Sequence, residues 1–292
     1  MAVPGASPAR TATLLSNLSA VRSRVAAAAA AAGAASSSGS QTSRNPRLVA
    51  VSKLKPASDI LTLNNAPANQ VHFGENYLQE LLEKSRLLAS SSSIRWHFIG
   101  GLQSNKCVQL ARDVRGLWAV ESVDSEKKAG LLDKGWGERF RSGSGTGTGT
   151  GGVDEAGGGG ASREEEEEKL RIFVQVNTSG EENKAGIDPG PPATALCRFI
   201  RDKCPRLRLQ GVMTIGAIAR SKATTAETEN EDFLCLRETR DRIVRELGLD
   251  ALELSMGMSE DFEGALRLGS DQVRVGTTIF GDRPLKSEAR VV

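Results

Sequence analysis

Four groups of polar residues in this 292-residue chain have types and spacing that could do chemistry together. Lys53 follows the apolar run Leu48–Val51 and shortly precedes Pro56. An ammonium at the carboxyl end of a buried strand is partly desolvated, which frees the amine for Schiff-base chemistry on a carbonyl. Taken alone, the stretch reads more simply as a surface lysine at a loop start. Ser255 and the pair Gly276-Thr277 offer short hydroxyls and an unobstructed backbone, the donors that suit a phosphate. Gly-Thr-Thr by itself equally makes a tight turn; with Ser255 on the neighbouring strand, a phosphate site is the better reading. Arg274 brings a permanent planar cation, free to meet a ring nitrogen or to form an ion pair with Glu75 or Glu253.

These groups need elements to hold them. Short apolar runs at Leu48–Val51, Gln70–Phe73, Arg95–Ile99, Leu117–Val120, Leu170–Val176, Leu209–Met213, Leu252–Leu254 and Gln272–Val275 each precede a helical pattern or a closing segment. Leu78, Leu81, Leu82, Ser85 and Leu88 form one helical stripe, and Phe233, Leu236, Arg240, Ile243 and Leu247 another, stopped by Gly248. Ser259 is placed to cap a helix that begins with Glu260 and Asp261 and ends at Gly269. Eight such runs predict an α/β fold, a single (β/α)8 TIM-type barrel. A doubly wound sheet would want a glycine-rich turn after its first strand, and Val51-Ser52-Lys53-Leu54-Lys55 is not one.

Formal net charge is +2, so no global field points to nucleic acid, and no apolar run approaches the roughly 20 residues that span a bilayer. Cys107, Cys197, Cys204 and Cys235 lack metal-ligand spacing, and only His72 and His97 could join them, so reduced buried thiols are expected rather than zinc. Thr13 to Ala32 is expected as one extra amino-terminal helix, with Leu14, Leu15, Leu18, Val21 and Val25 on its packed face and residues 1–12 flexible before it. Arginines without any acid before Asp59 also resemble an organellar transit composition. The expected location is therefore cytoplasmic, with a mitochondrion or plastid as the alternative. Residues 34–43 read as a disordered linker and 142–168 as a low-complexity insertion within a barrel domain over 13–292.

In a barrel, function sits where strands end. Lys53, Glu75, Asn76, His97, Glu121, Asn177, Met213, Thr214, Ser255, Arg274, Gly276 and Thr277 then converge on one mouth. A Schiff-base lysine beside a phosphate cradle suits two ligand classes, a sugar-phosphate aldolase substrate or pyridoxal 5′-phosphate (PLP), an aldehyde with its own phosphate. An arginine at the pyridine nitrogen would keep it unprotonated and weaken the ring as an electron sink.

The strings AVSKLKP, HFGENYLQEL, WHFIGGLQSNK, VNTSGEENKAG, GVMTIG and LSMGMSEDFEGALRLGSDQVRVGTTIFG, in this order, resemble the pyridoxal phosphate homeostasis proteins over nearly all of residues 13–283. The resemblance implies a barrel akin to the amino-terminal domain of alanine racemase. It implies PLP held as a covalent Schiff base on Lys53, phosphate contacts from Ser255, Gly276 and Thr277, and Arg274 at the ring nitrogen. Asn76 and Met213 match positions lining the same pocket; His97 is either packed or a ligand contact. Gly101 stands where the family often has a larger residue or proline. The 142–168 insertion is atypical and is expected on the side of the barrel away from the cofactor.

Racemisation on this cofactor uses two bases, the lysine and a tyrosine from a second domain, and the sole tyrosine here, Tyr77, lies at a helix start. The resemblance therefore implies a non-catalytic PLP carrier that buffers the cofactor or delivers it to apo PLP-dependent enzymes, and a monomer is expected. It would thereby maintain vitamin B6 and amino-acid/keto-acid homeostasis. A racemase-like enzyme is the alternative.

Overall fold

The computed structural model describes residues 3–35, 45–91, 93–141, 168–223 and 229–292. Eight parallel strands close into a barrel in sequence order, as the alternation of the chain predicts. They are β1 (Arg47–Val51), β2 (His72–Glu75), β3 (Arg95–Phe98), β4 (Leu117–Val123), β5 (Leu170–Gln175), β6 (Leu207–Met213), β7 (Glu253–Ser255) and β8 (Gln272–Val275). The helices are α1 (Pro8–Ala35), α2 (Ala57–Asn64), α3 (Leu78–Leu87), α4 (Ser104–Asp113), α5 (Glu126–Arg141), α6 (Pro191–Lys203), α7 (Ile218–Ala223), α8 (Glu231–Leu247), α9 (Phe262–Arg267) and α10 (Thr277–Phe280). The main core lies between strands and helices, where Ala50, Phe73, Val120, Val174, Val273 and Val275 meet the helix stripes.

The extra helix has a structural reason. The element after β8, α10, is a single turn and cannot cover the seam between β8 and β1. Helix α1 packs on α2, α9 and α10 instead, burying Leu14, Leu18, Val21 and Val25, with Leu15 half-buried against them. It starts at Pro8, five residues before the expected Thr13, so residues 8–12 are helical rather than flexible. Three arginines of the transit-like composition are tied into the fold. Arg10 pairs with Asp59 and donates to the Phe280 carbonyl, Arg22 donates to the Ala68 carbonyl and Gln70, and Arg24 pairs with Glu263. The expected linker 34–43 and insertion 142–168 fall almost wholly outside the described residues. In the chain, the latter falls between the end of α5 and the start of β5.

Two strand boundaries differ from expectation in ways that reach the site. β2 begins at His72 rather than Gln70, because the Gln70 amide turns in to bond the carbonyls of Leu48 and His72. That shift puts Glu75 inside the strand. β4 runs to Val123 rather than Val120, which carries Glu121 into the lumen. Gly248 does stop α8, with φ +62° in the left-handed region. The four cysteines are free thiols, and no cluster of metal-ligating side chains occurs among the described residues. No helix among them is long and apolar enough to cross a membrane.

Candidate PLP site at the barrel mouth

Val51 pairs with Gly74, so two residues further on Lys53 and Asn76 stand side by side beyond the ends of β1 and β2. Ala50 pairs with Val275, which places Gly276 next to Val51 and Thr277 beyond it. Four of the seven predicted residues thus share the mouth formed by β1, β2 and β8. The Lys53 side chain is half-buried, and its ammonium is pushed down to about 8, first by burial and then by the Arg283 charge. Glu75 and Glu80 oppose that shift. At pH 7 about one amine in ten is then free, against a few in ten thousand for an ordinary lysine.

The turn carrying Lys53 is braced from behind. Leu54 takes the left-handed φ of +62°, and its N–H donates to Glu80 Oε1 at 2.6 Å. The fully buried Lys84 ammonium donates to the Ser52 carbonyl at 2.8 Å, to Glu75 Oε1 at 2.7 Å and to Glu80 Oε1 at 2.6 Å. Ser52 Oγ also donates to Glu75 Oε1, at 2.7 Å. All three ammonium hydrogens are used, the condition under which a buried charge is tolerated. Sequence reading missed Lys84; its only signal is a lysine inside the apolar stripe of α3.

Arg274 lies in the lumen, 4% exposed, and pairs with neither Glu75 nor Glu253. Glu75 is held by Lys84, and Glu253 pairs with Arg47 at the opposite end. Arg274 Nη1 donates to Ser255 Oγ at 2.6 Å and Nη2 to the Thr214 carbonyl at 2.7 Å. Ser255 Oγ in turn meets Glu121 Oε2 at 2.7 Å, and the Gln272 amide bonds both Glu121 Oε1 and Ser255 Oγ. Behind Glu121, His97 Nδ1 lies 2.6 Å from Oε1, and His97 Nε2 lies 2.8 Å from His72 Nδ1. Burial pushes the Glu121 carboxyl up, but the His97 hydrogen bond, the Arg274 charge and the Ser255 hydrogen bond hold it low. Burial also lowers both histidines, His72 to about 2, so both are neutral. An ionised Glu121 only accepts, so His97 Nδ1 carries its proton and His72 Nδ1 donates to His97 Nε2. His97 is therefore packed.

This network revises one expectation. Ser255 is fully buried, its single hydroxyl proton goes to Glu121, and its oxygen already accepts from Arg274 and Gln272. It has no donor left for a phosphate. The available hydroxyl is Ser259, whose Oγ accepts from the Gly276 N–H at 3.2 Å. The sequence assigned Ser259 to a helix cap; α9 instead begins at Phe262, and Asp261 folds back to accept from the Met258 N–H. Met213 is also fully buried, packed with Ala119 and Phe173 in the lumen.

The residues present fit PLP on two independent features. Asn76 Oδ1 is buried without a hydrogen-bond partner among the described residues, an acceptor that awaits a donor. At Gly276 a Cβ would stand 3.3 Å from Val51 and 3.7 Å from Arg283 Nη2, so the glycine keeps open a space walled by a cation. Arg283, which sequence reading also missed, therefore flanks both the Lys53 amine and the Gly276-Thr277 backbone.

Residues 16–284 match the family model described as alanine racemase, N-terminal domain. The chain is 43% identical over 252 residues to the pyridoxal phosphate homeostasis protein of Caenorhabditis elegans, covering 85% of this chain and 91% of that protein. It is 39% identical over 243 residues to the human protein of the same name, covering 82% and 77%. Among solved structures, PipY of Synechococcus elongatus with PLP bound superposes with a TM-score of 0.59 at 27% identity, covering 88% of this chain and all of PipY. Alanine racemase from Corynebacterium glutamicum, at 16% identity and a TM-score of 0.56 over 94% of this chain and 65% of that one, shares the fold. On these matches the chain belongs to the pyridoxal phosphate homeostasis protein family, within the alanine racemase N-terminal domain fold.

Proposed function

We propose that this chain is a non-catalytic PLP-binding protein that buffers the cofactor or delivers it to apo PLP-dependent enzymes, and so maintains vitamin B6 and amino-acid/keto-acid homeostasis. The observation that carries the reading is a lysine with a depressed pKa, Lys53, sharing one barrel mouth with a buried arginine and a glycine-threonine cradle. Bound PLP supplies an aldehyde, a ring nitrogen and a phosphate. Lys53 provides the amine for the covalent Schiff base, Arg274 faces the ring nitrogen, and Ser259, Gly276, Thr277 and Arg283 hold the phosphate. Asn76 supplies a polar contact at the ring, and Met213 packs in the lumen below it. A permanent cation at the ring nitrogen withholds the proton that electron-sink chemistry needs, which supports holding over turnover. The racemase alternative needs a second base, and Tyr77 sits at the start of α3 with the Lys286 ammonium 4.4 Å above its ring. We read the protein as a cytoplasmic monomer.

Incubation of the purified protein with PLP is expected to give a yellow complex that borohydride fixes to Lys53, located by peptide mass. A colourless protein would sink the reading. Transfer of bound PLP to an apo-enzyme faster than its spontaneous release separates delivery from simple storage.

A further inference from the structure

We propose that Glu121 is the positioning residue for the cofactor-ring contact. With Ser255 it fixes the Arg274 guanidinium, and Ser255 serves this pair and not the phosphate. The inference rests on the PLP-binding reading above and extends it to residues that do not touch the ligand.

The argument begins with donors and acceptors. A guanidinium has five N–H groups and no acceptor, so its orientation is set by what accepts from it. Here one Nη1 hydrogen goes to Ser255 Oγ and one Nη2 hydrogen to the Thr214 carbonyl, which pins the plane and leaves the Nε edge unclaimed by these partners. Ser255 alone is a neutral and rotatable partner. It becomes a fixed acceptor because its own proton is committed to Glu121 Oε2 at 2.7 Å. The Gln272 amide bridges the same carboxylate and hydroxyl at 2.8 and 2.9 Å, so neither can turn away.

Charge points the same way. Glu121 Oε2 lies 4.0 Å from Arg274 Nη1, and both side chains are almost fully buried. An arginine buried without a counter-charge is costly, and a hydroxyl-bridged carboxylate supplies that counter-charge while leaving the guanidinium edge free. Glu121 is itself oriented by His97, and His97 by His72, so a line of hydrogen bonds runs from the start of β2 through the lumen to Arg274. Every donor in that line points at the Glu121 carboxylate.

The test compares Glu121→Gln and Ser255→Ala with wild type in the full chain, using PLP and pyridoxal, which lacks the phosphate. A glutamine at 121 sets an NH2 against the Ser255 hydroxyl or the His97 N–H and removes the counter-charge. Both variants are expected to form the borohydride-trapped Lys53 adduct but with a displaced absorption maximum. Both should bind PLP and pyridoxal about tenfold more weakly, by the same factor for each ligand, the scale expected when one buried charged hydrogen bond is lost. Ser255→Ala removes only the bridging oxygen and stands for the pair if Glu121→Gln does not fold. An unshifted spectrum with unchanged affinity would overturn the proposal. So would a loss confined to PLP, which would return Ser255 to the phosphate. A wild-type protein that forms no adduct would instead reject the PLP-binding reading itself.

Discussion

Lys84 Nζ donates to the Ser52 carbonyl at 2.8 Å, so a fully buried ammonium anchors the backbone one residue before Lys53. The same ammonium holds Glu75 and Glu80, and Glu80 holds the Leu54 N–H on the other side of Lys53. Lys84→Met would leave two carboxylates facing each other without their cation. Removing one partner of a buried pair costs about 3–5 kcal/mol, and urea unfolding is expected to show a loss of that order. A loss within about 0.5 kcal/mol, the scale of surface changes, would mean that the network does not hold the turn.

The Lys53 amine predicts how capture depends on pH. Its folded value is depressed to about 8, so the free amine, and with it the rate of Schiff-base formation, should rise with pH through 8 and level off above it. An unperturbed lysine would still be gaining rate near pH 10. Arg283 is the second cause of the depression, after burial. Arg283→Gln is therefore expected to move the midpoint upward and to slow capture at pH 7, read by stopped-flow absorbance. A midpoint that stays in place would remove Arg283 from the site.

Much of the fold was legible because it rests on period and order. Eight apolar runs with helices between them allow few architectures, and each strand was found within a few residues. The site was less legible because strand ends fix its chemistry. An error of two residues at β2 and three at β4 decides whether Glu75 and Glu121 stand beyond the strand ends or within the strands, Glu121 in the lumen and Glu75 against Lys84 of α3. Ser255 shows the limit. Its position beside β8 was right, but the direction of its hydroxyl depends on Glu121, 134 residues away in the chain. Lys84 and Arg283 carry no pattern of their own; burial inside an apolar stripe and the return of the chain past Gly281 reveal them only in three dimensions.

Ser259 and the phosphate make a separable prediction. Its hydroxyl oxygen lies 3.2 Å from the Gly276 amide, within the cradle and outside the Arg274 network. Ser259→Ala should weaken PLP by about tenfold, the scale of one hydrogen bond to a charged group, and leave pyridoxal binding unchanged. Equal losses for both ligands in titrations followed by absorbance would place Ser259 at the ring or in the fold instead.

The adjacent glycines Gly100 and Gly101 should behave oppositely. A Cβ on Gly100 would stand 2.0 Å from the Asn76 carbonyl oxygen and 2.6 Å from Asn76 Cα, both backbone atoms that cannot rotate aside. Gly100→Ala must therefore push the end of β2 away from the loop after β3, and Asn76 with it. Overpacking of this kind costs about 1–3 kcal/mol, and PLP affinity should fall together with stability because the displaced residue is beside Lys53. A Cβ on Gly101 would meet nothing within 4 Å, and its φ lies outside the left-handed region. Gly101→Ala should then be neutral or stabilising by up to about 1 kcal/mol, through the reduced freedom of the unfolded chain. Thermal melts and PLP titrations of the two variants side by side check the pair. A destabilised Gly101→Ala would show that the glycine is required by the loop.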